Sequence, residues 1–176
     1  HFFNWEFITS IGLWFKNPDI HFGTIYHPLA NKAMDRLFIE LRGQYGAEAI
    51  SMAQTLRRIL QLQKENKQFL IGFLADQVPT WEAINHWVDF LHQDTPVFTG
   101  TEKIAQRTGS CVFYLSMRRE KRGKYVATFH KIAEDSSTTN EHELTNGYYK
   151  LLEDNIKECP ELWLWTHKRW KRTRKG

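Results

Sequence analysis

The sequence predicts an α/β fold with a mostly parallel central sheet, helices on both faces and a late antiparallel hairpin. Three observations predict it. Strand-like and helix-like segments alternate along most of the chain, which is the signature of βαβ units. The run Gln68–Ala75 (QFLIGFLA) is continuously apolar between polar flanks, as a strand buried on both faces of a sheet would be. Lys124–Ile132 alternates apolar and polar just after the apolar Cys111–Met117, so these two pair as a hairpin. A chain of 176 residues with 41% hydrophobic and 14% aromatic content fits one domain, 1–176, with a real core.

Residues 4–16 read as a helix apolar on nearly all sides, through Trp5, Phe7, Ile8, Ile11, Leu13, Trp14 and Phe15. Asn17-Pro18-Asp19 ends it. Ile20–His27 is a strand closed by Pro28. Asn31 caps a helix to about Arg42 with Met34, Leu37, Phe38 and Leu41 on one stripe, and Gly43 and Gly46 stop it. A short strand over Ala47–Ile50 follows, then a helix from Ser51 to about Asn66 with Met52, Leu56, Ile59 and Leu60 at helical spacing. Asp76 stands just past the buried run, at the strand edge where α/β sheets collect ligands.

The next twenty residues show no clear period and read as a long functional loop containing a short helix. Thr99-Gly100-Thr101 leads into a helix to about Arg107, and Gly109 ends it. Arg118–Gly123 is a charged turn, and Glu134–Asn140 a polar loop. Glu141–Glu158 is a helix with Leu144, Tyr148, Leu151, Leu152 and Ile156 on one face. A last aromatic helix spans Glu161–Trp170, with Trp163 and Trp165 as core residues or interfacial anchors, core being favoured, Trp170 nearer an anionic lipid surface, and His167 structural.

Cys111 and Cys159 are far apart and in no metal or redox spacing, which suits a reducing compartment. His86 and His92, near Asp89 and Asp94, have poor spacing for a metal site and read as surface histidines. No run of 18 apolar residues exists, so the sequence holds no transmembrane helix. The net charge of +4 comes from the tail: six Lys/Arg and no acid lie between Lys168 and Lys175, and the rest of the chain is slightly acidic. Such a patch suits an anionic membrane surface, a phosphorylated substrate or nucleic acid, and equally a solvated tail.

The opening hexapeptide His1-Phe2-Phe3-Asn4-Trp5-Glu6 carries the most specific chemistry. On one continuous helix, five residues turn about 500°, so His1 and Glu6 would diverge. They meet if His1 lies on the turn before a helix capped by Asn4, with Glu6 on its first turn. A carboxylate holding the Nδ1 proton leaves Nε2 free to take a proton, a two-residue general base. By itself the spacing is a weak pattern.

HFFNWE resembles the His-x4-Glu motif of the bacterial lipid A biosynthesis acyltransferases, relatives of the glycerol-3-phosphate acyltransferases. Phe3 stands where that family often has a small residue. IYHPLANKAMDRLFIELRGQYGAEAI is similar to its Tyr-basic-Pro … Asn … Arg … Gly segment, with His27 for the basic residue and Arg42 on its arginine. FLADQ is similar to its strand-end Asp-Gln. DFLHQDTPVFTGTEKIAQRTG is similar to its Phe-Phe-Gly … Thr-x-x-Gly segment, but lacks the first glycine. PELWLWTHKRWKRTR closely resembles its C-terminal Trp/His/Arg motif.

That resemblance implies a glycerolphosphate-acyltransferase-like fold and transfer of a lauroyl or myristoyl chain from acyl carrier protein, or CoA, to a hydroxyl of a lipid A precursor. His1 and Glu6 would be the catalytic dyad, and Arg42, Asp76, Gln77 and Gly100 the substrate-binding residues, with no cofactor, metal or nucleic acid. The basic tail would rest on the cytoplasmic face of the inner membrane. The same resemblance implies a preceding strand and membrane anchor, without which activity would be weak. Phe2, Phe3, Trp5, Ile8 and the Trp81–Phe90 segment would line an acyl slot. The alternatives are another acceptor lipid, a thioester hydrolase using the same dyad, or a binding module for nucleic acid.

Overall fold

The computed structural model describes residues 19–174, which form two compact units, 19–74 and 75–174. The helix expected over 4–16 and the dyad His1 and Glu6 lie outside the described residues.

The first unit is built on a three-stranded parallel sheet in the order β2-β1-β3, with β1 His21–Tyr26, β2 Glu48–Ser51 and β3 Phe69–Gly72. Parallel neighbours need crossovers, and two helices supply them: α1 Lys32–Gly43 and α2 Thr55–Lys64. Asn31 caps α1 as expected, its Oδ1 accepting from Ala33 N and Met34 N. Asp35 reaches back to accept from Leu29 N at 2.8 Å, which fixes the entry of the chain. The expected helix from Ser51 divides, because Met52–Gln54 forms a 3₁₀ turn before α2 begins. α2 buries Thr55, Ile59 and Leu62, and Arg58 Nε donates to both carboxylate oxygens of Glu48 on β2, at 2.9 and 3.1 Å.

Gly23 sits mid-strand in β1, between β2 and β3. A Cβ there would come within 2.7 Å of both Ile50 Cδ1 and Ile71 Cδ1. The glycine therefore lets two large side chains close over the central strand. β3 is shorter than the apolar run suggested, and its four residues are only partly buried. The expectation of a strand covered on both faces is corrected to that extent.

The second unit contains two antiparallel hairpins and two helices. β4 His86–Phe90 pairs with β5 Gln93–Val97, and β6 Val112–Lys121 pairs with β7 Lys124–Ala133. α3 Gly100–Thr108 ends on Gly109 at φ 59°, the left-handed cap expected of a glycine. α4 Glu143–Glu158 is the long helix. Its Tyr149, Leu152 and Ile156 pack with Val88, Phe90, Val97, Tyr114 and Trp163 in the main core. Leu144 joins Ala105 and Ala133 in a smaller one. Glu102 on α3 is buried and accepts from the backbone N (3.3 Å) and the hydroxyl of Thr145, tying the two helices together.

The sheet is thus less parallel than the sequence predicts. The β4–β5 hairpin replaces the expected loop. It escaped the sequence reading because its two-residue turn is Leu91-His92, with φ 53° and 59°, whereas such turns normally carry Asn-Gly. Leu91 N–H donates to Glu153 Oε2 at 2.9 Å, and the Leu91 side chain packs on the main core. Tertiary contacts therefore hold a turn that the local sequence disfavours. His92 also stands at the segment where the resembled family has a glycine. The expected last helix is corrected as well: only Pro160–Leu162 is helical, as a 3₁₀ turn, and the chain then runs irregularly. β6 extends to Lys121, through most of the expected charged turn.

Two outcomes follow for stability. Gly23→Ala should lower the unfolding free energy by about 1–3 kcal/mol, the cost of overpacking a closed site, measured by denaturant titration. His92→Gly should raise it by about 0.5–1 kcal/mol, by removing a left-handed non-glycine residue at the turn.

Candidate functional site

Asp76 follows β3 and is 4% exposed, a buried carboxylate. Three phenols lie within its electrostatic reach: Tyr114 on β6, and Tyr148 and Tyr149 on α4. Burial raises the pKa of each, and the carboxylate adds to the effect. Tyr148 goes well above its ordinary range, and Tyr149 is pushed up to about 12. All three therefore stay protonated at any working pH, and Tyr114 and Tyr149 act as hydrogen-bond donors. Tyr114 OH donates to Asn155 Oδ1 at 3.0 Å, and Tyr149 OH donates to the carbonyl of Ala75 at 3.0 Å, one residue before Asp76.

The C-terminal segment completes this cluster. Arg169 is 1% exposed and lies over the Tyr149 ring, 5.7 Å from its centroid. Its Nη2 donates to the carbonyl of Pro96 on β5 at 2.8 Å and to Tyr149 Oη at 3.0 Å. His167 Nε2 is buried without a partner. Burial lowers the His167 pKa below its ordinary value, Arg169 and Lys171 push the same way, and Asp76 opposes them.

The sequence reading passed over Tyr149 and Arg169 as site residues. The available signal was the Trp-x-Trp-x-His-x-Arg-Trp pattern, which puts a histidine and an arginine among aromatic residues. A buried guanidinium there needs polar partners from elsewhere in the chain.

The other expected site residues are placed as follows. Gln77 is exposed beside Asp76. Gly100 opens α3 and is exposed, with nothing within 4 Å of a Cβ built there, so a side chain would stand in open space. Arg42 lies in the first unit, at the last turn of α1. It donates to Phe38 O at 3.3 Å and lies 5.5 Å from the ring centroids of Tyr26 and Phe38. Its pKa is lowered by burial. One guanidinium bond thus serves the end of its own helix.

Of the expected slot residues, Phe2, Phe3, Trp5 and Ile8 lie outside the described residues, and Phe90 is fully buried in the main core. Trp81 is exposed and lies under the Arg172 guanidinium, 5.4 Å from its ring centroid. His86 stacks on His142 with ring centroids 3.8 Å apart, and its Nε2 is 2.9 Å from Asn146 Oδ1. Among the described residues no group of three or more His, Cys, Asp or Glu is arranged to hold a metal, and no helix is long and apolar enough to cross a membrane.

The basic tail is less free than its composition suggests. Arg169 is buried, Arg172 donates to Pro79 O, and Arg174 pairs with Asp94 at 3.2 Å and lies over Trp87. Trp170 packs on the core and donates to Thr95 Oγ1 at 2.8 Å. Trp163 is core, as expected, but Trp165 is exposed, its Nε1 donating to Pro160 O at 2.7 Å.

The model of the bacterial lipid A biosynthesis acyltransferases matches residues 1–172, nearly the whole chain and both described units. The chain belongs to that family. No curated protein matched in a separate search. As a member of the lipid A acyltransferase family the protein is an acyltransferase, and the family places it in lipid A and lipopolysaccharide biosynthesis. In this acyltransferase the match includes both the opening HFFNWE and the segment that buries Arg169 against Tyr149.

His167 gives a test of the cluster's electrostatics. A histidine whose folded pKa lies below the unfolded value of about 6.5 binds fewer protons when folded. Its contribution is therefore present above pH 6.5 and is lost as pH falls through the folded pKa. Melting temperature should drop from pH 7.5 to 5.5, and His167→Gln should flatten part of that slope; an unchanged slope would contradict the placement.

Proposed function

We propose that the protein transfers a fatty acyl chain from an acyl carrier protein or CoA thioester to a hydroxyl of a lipid A precursor, at the cytoplasmic face of the inner membrane. The observation that carries this reading is the family match across residues 1–172, which takes in HFFNWE at one end and PELWLWTHKRW at the other. Residues 1–176 are read as one catalytic domain with a glycerolphosphate-acyltransferase-like fold.

In this reading His1, oriented by Glu6, takes the proton of the acceptor hydroxyl, which is a poor nucleophile until deprotonated. The alkoxide attacks the thioester carbonyl and gives a tetrahedral oxyanion, which needs donors aimed at it. Collapse forms the ester, breaks the carbon–sulfur bond and returns the proton from His1 to the leaving thiolate. The base acts on the acceptor directly, so the scheme calls for no covalent enzyme intermediate and no cofactor. Arg42 suits a phosphate of the glycolipid, while Asp76, Gln77 and Gly100 stand on the substrate side. Lys168 and Lys171 are exposed cations of the C-terminal segment and suit an anionic lipid surface.

The test is an acyl-transfer assay with protein expressed from its full reading frame, acyl carrier protein thioester and a tetra-acylated lipid A precursor. His1→Ala should lower kcat by about 10²–10⁴-fold, the usual worth of a general base, and Glu6→Ala should fall in the same direction. Full activity in His1→Ala would exclude the dyad. Release of free fatty acid independent of the glycolipid would instead identify a thioester hydrolase.

A further inference from the structure

Arg169 is a buried cation that the acyl-transfer scheme leaves unused. Only Nη2 of its guanidinium is engaged, with Pro96 O and Tyr149 Oη. Nε and Nη1 are buried without a partner. A guanidinium in that state is expensive to bury, and an apolar side chain of similar volume would serve the fold as well or better. Fold stability alone does not account for the two Nη2 bonds, which leaves room for a further role.

Their direction shows what it is. Arginine can only donate, so Tyr149 Oη must accept from it. The single phenol hydrogen is then committed to the other neighbour, the carbonyl of Ala75, at 3.0 Å. Ala75 is bonded to Asp76, whose side chain is buried in the same cluster. Three consecutive hydrogen bonds thus run from Pro96 O on β5 through Arg169 and Tyr149 to the main chain that carries Asp76.

We propose that Arg169, acting through Tyr149, is a positioning residue for Asp76, fixing the backbone from which this carboxylate is presented to the substrate. The inference rests on the reading of Asp76 as a substrate-binding residue. Arg169 orients the phenol, the phenol clamps the Ala75 carbonyl, and the peptide between Ala75 and Asp76 is held against rotation.

The experiment compares Tyr149→Phe, Arg169→Met, Arg169→Lys, Asp76→Asn and the double variant Asp76→Asn/Tyr149→Phe in the acyl-transfer assay, with melting temperature and hydrogen exchange of residues 75–77 measured alongside. Tyr149→Phe and Arg169→Met should each lower kcat/KM by about tenfold, a modest misplacement effect. The melting temperature of Arg169→Met should stay within about 2 °C of the parent, whereas Tyr149→Phe, which strips a partner from the buried guanidinium and from the Ala75 carbonyl, should melt a few degrees lower. Arg169→Lys, which keeps a donor for the phenol, should recover part of the loss. In the Asp76→Asn background Tyr149→Phe should cost nothing more, because the residue it positions is already disabled. Exchange at 75–77 should quicken in Tyr149→Phe and Arg169→Met.

Additive losses in the double variant, or losses that track melting temperature, would overturn the proposal. Full activity in Asp76→Asn would overturn it too, while leaving acyl transfer itself intact. If the parent shows no transfer, the functional reading fails on its own, and unchanged exchange at 75–77 separately refutes the clamp.

Discussion

The second unit depends on one buried amide. Asn155, on the inner face of α4, accepts from Tyr114 OH at 3.0 Å and from Met117 N at 3.3 Å, and donates to Met117 O at 3.3 Å. It meets the β6 backbone as a neighbouring strand would, with one donor and one acceptor. Among the described residues β6 has one partner strand, β7, and Asn155 supplies partners to the N–H and C=O of the buried Met117. Helix and hairpin are therefore joined by polar satisfaction as well as by apolar packing. Tyr148 and Tyr149, which surround Asp76, lie on the helix that this amide locks in place.

The C-terminal segment contributes to the same region without regular structure. Trp163 fills the main core, Trp170 caps Thr95, and Arg169 reaches between Pro96 and Tyr149. On a helix Trp163 and Trp170 would share a face, but Arg169 would point about 100° away from Trp170. The irregular course after Leu162 lets Trp163, Arg169 and Trp170, one to seven residues apart, reach the same hairpin and helix. Composition suggested a membrane-facing tail, yet half of its six cations are engaged by side chains and carbonyls of their own unit. An unsolvated arginine beside a stable aromatic surface gains both packing and cation–π attraction.

Where sequence reading succeeded, local chemistry decided the outcome. Asn31 capped α1, Gly109 stopped α3, and the alternation of Tyr125, Ala127 and Phe129 gave β7. It failed where distant contacts overrode propensity. Leu91-His92 makes a turn with two left-handed residues because Glu153, some sixty residues away, accepts the Leu91 N–H. Apolar residues of the 160s suggested a helix, but their partners lie on β4, β5 and α4. For the site, Asp76 was legible from its position after an apolar run. Tyr149 and Arg169 were not, because neither lies in a spacing that predicts the other.

The sequence by itself determined the alternation of strands and helices, their caps and stops, and through its ordered motifs the acyltransferase family. Those properties reside in neighbouring residues, where backbone preference and side-chain period act over a few positions. The tertiary structure alone decided that two of the seven described strands form the β4–β5 hairpin, that the last segment is irregular, and that Arg169 and Tyr149 are bonded in series to the Ala75 carbonyl beside Asp76. Each of these depends on hydrogen bonds between residues about 20 to 75 positions apart. A buried donor or acceptor must find a partner wherever the fold brings one, and sequence spacing carries no record of that choice.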